Sequence, residues 1–118
     1  MGILKVAYMN VGRGCVGAHV FLESCAREEV DICFVGEYWI TRDGNGTQSH
    51  SDYVILGNVR RGTKVVVFIR KVLVDGVSLV AATARAVVVE VGGCRVGGVY
   101  EKCGVGMHEM KEIGRAHV

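Results

Sequence analysis

The feature that most limits the possible folds is a change of pattern about one third of the way along this 118-residue sequence. Residues 4–9 (LKVAYM) and 30–36 (VDICFVG) are apolar runs that predict two strands. Between them, apolar residues recur at helical spacing over residues 17–29, which predicts an amphipathic helix. The second strand hardly alternates between polar and apolar residues, so we expect it to be buried on both faces. The chain therefore begins with a strand-helix-strand unit.

After this unit the sequence predicts strands joined mostly by short connections. A polar segment rich in turn-forming residues, 41–51 (TRDGNGTQSHS), precedes them. Gly92 and Gly93 are a strong hairpin signal between the last two strands. The four predicted strands are residues 53–56, 64–71, 85–91 and 94–100. We therefore predict the α/β fold class, with one strand-helix-strand unit followed by an antiparallel meander.

Length and composition limit the class of protein. A chain of this length suits one domain with a hydrophobic core, and 50% of its residues are hydrophobic. No apolar run approaches the ~18 residues that a membrane helix needs, so no membrane partner is expected. The formal net charge of +2 is too small to indicate nucleic-acid binding by itself. An intracellular protein is expected, because no secretory signal is visible and the number of cysteines, five, is odd.

A glycine pattern near the start suggests one alternative function. Gly12, Gly14 and Gly17 have the G-x-G-x-x-G spacing of dinucleotide-binding loops, and Glu37 lies at the distance of a ribose-binding acid. A dinucleotide-binding domain continues with alternating helices and parallel strands, however. This chain supplies one such unit only, so a dinucleotide-binding domain is kept as the minor alternative.

Several short segments occur in an order that resembles a known superfamily. They are LKVAYMNVGRG at residues 4–14, VDICFVGEYWI at 30–40, TQSHSDY at 47–53, TKVVVFIRK at 63–71 and VVVEVGGCRVGGVY at 87–100. Together they resemble the N-terminal half of the endonuclease/exonuclease/phosphatase superfamily, and most of all the endonuclease domains of fungal non-LTR (LINE-type) retrotransposons. The resemblance implies half of a DNase I-like four-layer α/β/β/α sandwich.

The resemblance also implies a function and a site. In its complete form the protein would be a Mg²⁺-dependent endonuclease that nicks target DNA for retrotransposition, with Mg²⁺ or Mn²⁺ as cofactor. Asn10, Glu37 and Tyr100 match catalytic residues of the family: Glu37 would bind the metal, and Asn10 and Tyr100 would hold the phosphate. His50 matches a segment that implies a substrate contact or a structural role, and Asp31 is expected to anchor a loop. A metal that neutralises the phosphate suits phosphodiester hydrolysis chemically.

Partners and location follow from the same resemblance. The complete protein is expected to bind DNA and to act in the nucleus. A reverse transcriptase domain is expected in the same polyprotein.

The sequence departs from the family in two ways. Gly36 and Tyr38 flank Glu37 where the family usually has Gln and Pro, and Ser51 replaces another proline. The second-half motifs, an Asp-x-Asn pair and a Ser-Asp-His segment, have no counterpart after Tyr100. We therefore interpret residues 1–112 as a truncated domain that is inactive alone. Residues 113–118 (IGRAHV) are interpreted as a non-native tail, because a widely used sequencing adapter encodes the same letters.

Each site residue also has an ordinary structural interpretation. Asn10 is a common turn former before glycine, Tyr100 ends a strand, and an acid after a strand such as Glu37 is often a solvated loop residue. A folded, non-catalytic binding remnant is therefore the main alternative function. Half of a sandwich would leave apolar sheet surfaces uncovered, so self-association is expected.

Overall fold

The computed structural model describes residues 3–12, 15–38, 50–57, 59 and 62–100. The predicted non-native tail, residues 113–118, lies outside them. In chain order the elements are β1 (Val6–Asn10), α1 (Cys15–Arg27), β2 (Ile32–Gly36), β3 (Tyr53–Leu56), β4 (Val65–Arg70), a 3₁₀ helix (Lys71–Gly76), β5 (Val77–Ala82), β6 (Ala86–Val91) and β7 (Cys94–Val99). The predicted mixed α/β class is confirmed. Within these ranges no helix is both long enough and apolar enough to cross a membrane.

The strands form two sheets. The first has the order β1-β2-β4-β3, in which β1 and β2 are parallel and β4 runs antiparallel to both of its neighbours. The second is an antiparallel meander in the order β5-β6-β7. The predicted hairpin between β6 and β7 is confirmed, and Gly92 and Gly93 both adopt the positive φ that its turn requires.

The prediction of one meander containing all four later strands is wrong. The first two of those strands, β3 and β4, join the sheet of β1 and β2, and β4 lies between β2 and β3. Residues 65–69 of β4 are all buried, so this strand requires cover on both faces and takes a central position. An additional strand, β5, begins the second sheet. It was not predicted because its sequence, VSLVAA, lacks the polar-apolar alternation of a half-buried strand.

The helix covers one face of the first sheet. The residues of α1 that face the sheet recur at helical spacing and are all buried, which confirms the predicted amphipathic helix. The helix begins at Cys15, two residues before the predicted start. This half of the core contains Ala18, Phe21, Leu22 and Cys25 of α1 with Cys33, Val35, Val66 and Phe68 of the sheet.

The opposite face of the first sheet packs against the second sheet. Phe34 of β2 is fully buried between them, and Gly98 of β7 lies directly against its ring. Any side chain at Gly98 would overlap that ring, so the glycine allows the sheets to approach closely. The other buried members of this half of the core are Ile32, Val65, Val67, Ile69, Val77, Val87, Val89, Val96 and Tyr100. The layers are therefore α1, the first sheet and the second sheet, and β2 is buried on both faces as predicted.

We expect Gly98→Ala to destabilise the fold, because the added methyl group would overlap the Phe34 ring. The free energy of unfolding should fall by about 1–3 kcal/mol, the usual cost of overpacking a core, when measured by urea denaturation. Gly76→Ala is the matched control, since a Cβ at Gly76 would meet no atom within 4 Å. Equal stability of the two variants would contradict close packing of the sheets through Gly98.

Candidate functional site

The carboxyl ends of β1 and β2 lie side by side. Asn10, the last residue of β1, pairs with Gly36, the last residue of β2. The Val11 N–H then donates to the Gly36 carbonyl oxygen at 2.9 Å, which extends the pairing by one residue. Because the strands are parallel, Asn10 and Glu37 emerge at the same edge of the sheet.

The backbone of Glu37 adopts a conformation that is rare for a residue with a side chain. Its φ is +53°, in the left-handed region, which costs of order 1–3 kcal/mol for most residues. The Glu37 N–H donates to the Lys64 carbonyl oxygen at 2.7 Å, just before β4 begins. Such conformations cluster at binding and catalytic sites, because the surrounding structure must hold them. The direction of the Glu37 side chain is thus set by its backbone.

Tyr100 of the second sheet reaches Glu37 of the first. Its hydroxyl donates to Glu37 Oε2 at 2.5 Å, although 63 residues separate the two in sequence. The Tyr100 N–H donates to the Arg85 carbonyl oxygen at 2.8 Å, so Tyr100 stays paired beyond the end of β7. The Arg85 guanidinium lies 5.6 Å from the centroid of the Tyr100 ring, within the ~6 Å of a cation–π contact. The hydrogen bond between Tyr100 and Glu37 therefore joins the second sheet to the first, and it is partly buried.

Tyr8 belongs to the same group, and sequence analysis missed it. It precedes Asn10 by two residues on β1, so both side chains lie on the face that packs towards the second sheet. The Tyr8 hydroxyl packs against Gly36, where any side chain would overlap it. Burial raises the pKa of Tyr8, and the nearby Tyr100 and Glu37 raise it further. The two-residue spacing from Asn10 was a usable signal for Tyr8, whereas the position of Arg85 depends on the pairing of β6 with β7.

His50 lies at the opposite end of the first sheet. Its neighbour Tyr53 begins β3, and the Tyr53 hydroxyl donates to the Val30 carbonyl oxygen ahead of β2 at 2.8 Å. Glu37 follows the other end of β2, and a strand of five residues spans about 13 Å. The structure therefore does not bring His50 to Asn10, Glu37 and Tyr100.

The hydrogen bonds of His50 are those of a structural residue. Its Nδ1 accepts the Asp52 N–H at 3.0 Å, so Nε2 carries the proton of the neutral ring and donates to Glu23 of α1. This hydrogen bond lowers the pKa of the Glu23 carboxyl group. The His50 side chain is 4% exposed. Its contacts tie the start of β3 to the helix.

Asp31 anchors the same end of the sheet, as expected. Its Oδ2 accepts the Lys5 N–H at 2.9 Å, and its Oδ1 accepts from Arg70 Nη2 at 2.6 Å. Asp31 is buried, so these partners satisfy a carboxylate that water does not reach freely. The residue joins the segments before β1, before β2 and at the end of β4.

Cys25 and Cys33 are core residues. Both are buried between α1 and β2. The hydrogen bond with Cys25 and burial raise the pKa of the Cys33 thiol, so Cys33 stays protonated. Among the described residues, Cys25, Cys33 and Cys94 are free thiols.

The geometry does not favour the dinucleotide-binding alternative. Gly12 forms a turn with φ +58° and Gly17 lies within α1, whereas Gly14 is outside the described residues. The neighbour of β2 on its other side, β4, is antiparallel. The sheets formed by the described strands thus contain one parallel pair, and a dinucleotide-binding domain requires several.

The chemistry of the donors at this edge, one carboxylate and one amide oxygen, is compatible with a magnesium ion that is held mainly by water and substrate. Mg²⁺ binds one or two carboxylates and keeps waters and substrate oxygens in its other positions. Glu37 offers a carboxylate, and Asn10 offers an amide oxygen that now accepts the Gly12 N–H at 2.9 Å. Within the described ranges, no group of three or more His, Cys, Asp and Glu side chains is arranged around a common point.

Comparison with known proteins adds no family assignment. Neither the scan against protein-family models nor the search of curated proteins finds a match for the sequence.

We predict that Glu37→Gln lowers the pKa of Tyr8. The Glu37 carboxylate disfavours a second negative charge nearby, so its removal makes ionisation of the Tyr8 phenol easier. Absorbance at the phenolate band, recorded against pH, measures the change when each variant is compared with its Tyr8→Phe counterpart. Glu90→Gln, in the strand end distant from Tyr100, is the control and should leave the titration unchanged. An unchanged Tyr8 titration in Glu37→Gln would contradict the grouping of Tyr8 with Glu37.

Proposed function

We propose that this chain is the N-terminal part of an endonuclease/exonuclease/phosphatase-type domain, whose complete form is a Mg²⁺- or Mn²⁺-dependent endonuclease acting on DNA. The observation that carries the proposal is the 2.5 Å hydrogen bond from Tyr100 to Glu37. The resemblance selects these two residues from distant parts of the sequence, and they meet beside Asn10. The layer order of helix, sheet and sheet is also compatible with three layers of a DNase I-like four-layer sandwich.

Glu37 and Asn10 are the residues that would hold the metal and the phosphate. Their oxygens lie at one edge of the first sheet, at the ends of paired strands. The metal, when bound, would neutralise charge on the phosphate and on the leaving oxygen. Glu37 is suited to this role because its backbone and the Tyr100 hydroxyl restrict the orientation of its carboxylate.

The two tyrosines would act as neutral hydrogen-bond donors. The pKa of Tyr8 is raised, so at neutral pH its phenol is protonated and adds no negative charge beside a phosphate. Tyr100 donates to Glu37 and lies under the Arg85 guanidinium. A phosphate at this edge would therefore meet hydroxyl donors and a cation.

DNA is the proposed substrate class and partner of the complete protein. The exposed Arg85 supplies positive charge at the edge, and the half-buried Lys64 lies beside Glu37. Charges of this sign attract the phosphate backbone. As part of this proposal, a reverse transcriptase domain belongs to the same polyprotein and the element acts in the nucleus.

A non-catalytic binding module is the second candidate function. It is favoured by the hydrogen bonds that Glu37 Oε2 and Asn10 Oδ1 already accept within the chain. Under this alternative the Tyr100–Glu37 hydrogen bond joins the two sheets and the Gly12–Asn10 hydrogen bond closes a turn. The chain then folds without metal affinity. Metal binding separates the two candidates.

We expect the chain to bind Mn²⁺ and the Glu37→Gln variant to bind it at least about tenfold more weakly. Changing the hydrogen-bond partner of a metal ligand already lowers metal affinity by about 10–100-fold, and removal of the ligand itself should lower it at least as much. Titration followed by the electron paramagnetic resonance of free Mn²⁺ measures the affinity. Glu90→Gln is the matched control, since it removes an exposed carboxylate from the far end of the second sheet. A folded chain that binds no Mn²⁺, or binds it equally in both variants, would favour the non-catalytic module.

We expect no Mg²⁺-dependent nicking of supercoiled plasmid by this chain alone, because the proposal assigns it no general base. The agarose-gel assay compares the wild-type chain with Glu37→Gln. Nicking by the wild-type chain that is lost in Glu37→Gln would contradict the expected inactivity and would mean that this chain carries a complete catalytic set.

A further inference from the structure

Within the described part of the chain, the outer side of β5 is a sheet edge that carries no charged residue and no proline. β5 is the first strand of the second sheet, and residues 78–82 are all exposed. Leu79 is 40% exposed and Val80 is 39% exposed. Natural edge strands are usually protected by charged residues, by proline, by very short length or by a β-bulge. β5 has six residues, none of them charged or proline.

The other three edge strands differ from β5. β7 carries Arg95 and two glycines. β3 begins with the buried Tyr53, and its remaining residues are half-buried. Residues 6–8 of β1 are half-buried, whereas residues 78–82 of β5 are exposed. Among the described strands, β5 is therefore the edge best suited to pairing with another strand.

Val80 marks the centre of this edge. The pairing of β5 with β6 passes from Leu79 opposite Val89 to Ala81 opposite Val88, so Val80 has no partner on β6. This is the pattern of a β-bulge, which leaves one residue outside the ladder. Val80 is available to a strand on the outer side.

A largely apolar groove runs beside the same edge. It has a volume of about 460 Å³ and lies between β5 and the edge strand β3. Its apolar lining includes Leu56, Val59, Leu79, Ala82 and Val87. Apolar side chains of a strand added next to β5 would find cover there.

The charges at the two ends of β5 indicate which strand would pair with it. Asp75 precedes β5 and is exposed. At the other end lie the exposed Arg85 and the half-buried Lys64, and the Lys64 N–H donates to the Ala84 carbonyl oxygen at 2.6 Å. Antiparallel pairing of two identical strands brings the acidic end of each copy beside the basic end of the other, whereas parallel pairing brings like charges together.

We propose that this chain forms a two-fold dimer in which β5 pairs antiparallel with β5 of a second copy, with the axis near Val80. The pairing joins the two second sheets into one six-stranded sheet. Uncharged side chains meet along the strand, and opposite charges meet at both ends. Glu37, Asn10 and Tyr8 take no part in this dimer, whereas Arg85 and Lys64 are shared with the proposed DNA-binding edge.

Sedimentation velocity on the full chain tests the proposal. The wild-type chain should have twice the monomer mass at micromolar concentration. Asp75→Lys should weaken the dimer at least about tenfold, because two attractions become repulsions. Glu28→Lys is the matched control, since it changes the net charge equally at the exposed end of α1 and should leave the dimer intact. Adding Arg85→Asp to Asp75→Lys should restore the dimer.

A second pair of variants tests the axis. Val80→Lys should abolish the dimer, because two lysines would face each other across it, whereas Val80→Thr should retain it. Circular dichroism verifies that each variant is folded, and only folded variants are compared. Three results would overturn the proposal: a monomeric wild-type chain, in which case the bulge protects the edge; an open-ended series of larger species; or a dimer that Asp75→Lys and Val80→Lys leave unchanged.

Discussion

The packing of Phe34 against Gly98 is the contact on which the rest of the structure depends. β2 and β4 are apolar on both faces, and α1 can cover only one of them. The second sheet covers the other face, and a glycine at position 98 allows it to approach the Phe34 ring directly. This close approach brings the residue that follows β7 to the residue that follows β2. The bond between Tyr100 and Glu37 is thus a consequence of sheet packing.

The same contact explains why the candidate site is a property of the folded chain. Glu37 needs its backbone bond to Lys64 and its side-chain bond to Tyr100 to hold a left-handed conformation that costs of order 1–3 kcal/mol. The Tyr100 hydroxyl donates to this carboxylate, Tyr8 lies near it, and the Arg85 guanidinium lies over the Tyr100 ring. This arrangement suits both a site that binds a metal and a phosphate and a hydrogen bond whose role is purely structural. The affinity of the site for a metal distinguishes these roles.

Local sequence patterns predicted the parts of the fold that depend on local physics. The helical spacing of Ala18, Phe21, Leu22 and Cys25 predicted α1, and two glycines predicted the turn between β6 and β7. In both cases residues that are close in sequence determine the outcome.

The parts that sequence analysis missed depend on contacts between distant segments. β4 lies between β2 and β3 because it is buried on both faces, and chain order does not reveal that position. β5 carries no alternation because residues 78–82 are exposed on both faces of the strand. The distance of His50 from Glu37 depends on which end of β2 the start of β3 meets, and the approach of Arg85 to Tyr100 depends on the register of β6 and β7.

The most direct test of the account is to locate bound Mn²⁺ by its paramagnetic broadening of amide signals in ¹H–¹⁵N spectra of the chain. Substoichiometric Mn²⁺ should remove the signals of residues 11, 12, 36 and 37, at the ends of β1 and β2. The signals of Asp52 and Tyr53, at the other end of the first sheet, should remain. Broadening centred on Glu23 and His50, or spread evenly over the chain, would contradict a metal site at Glu37.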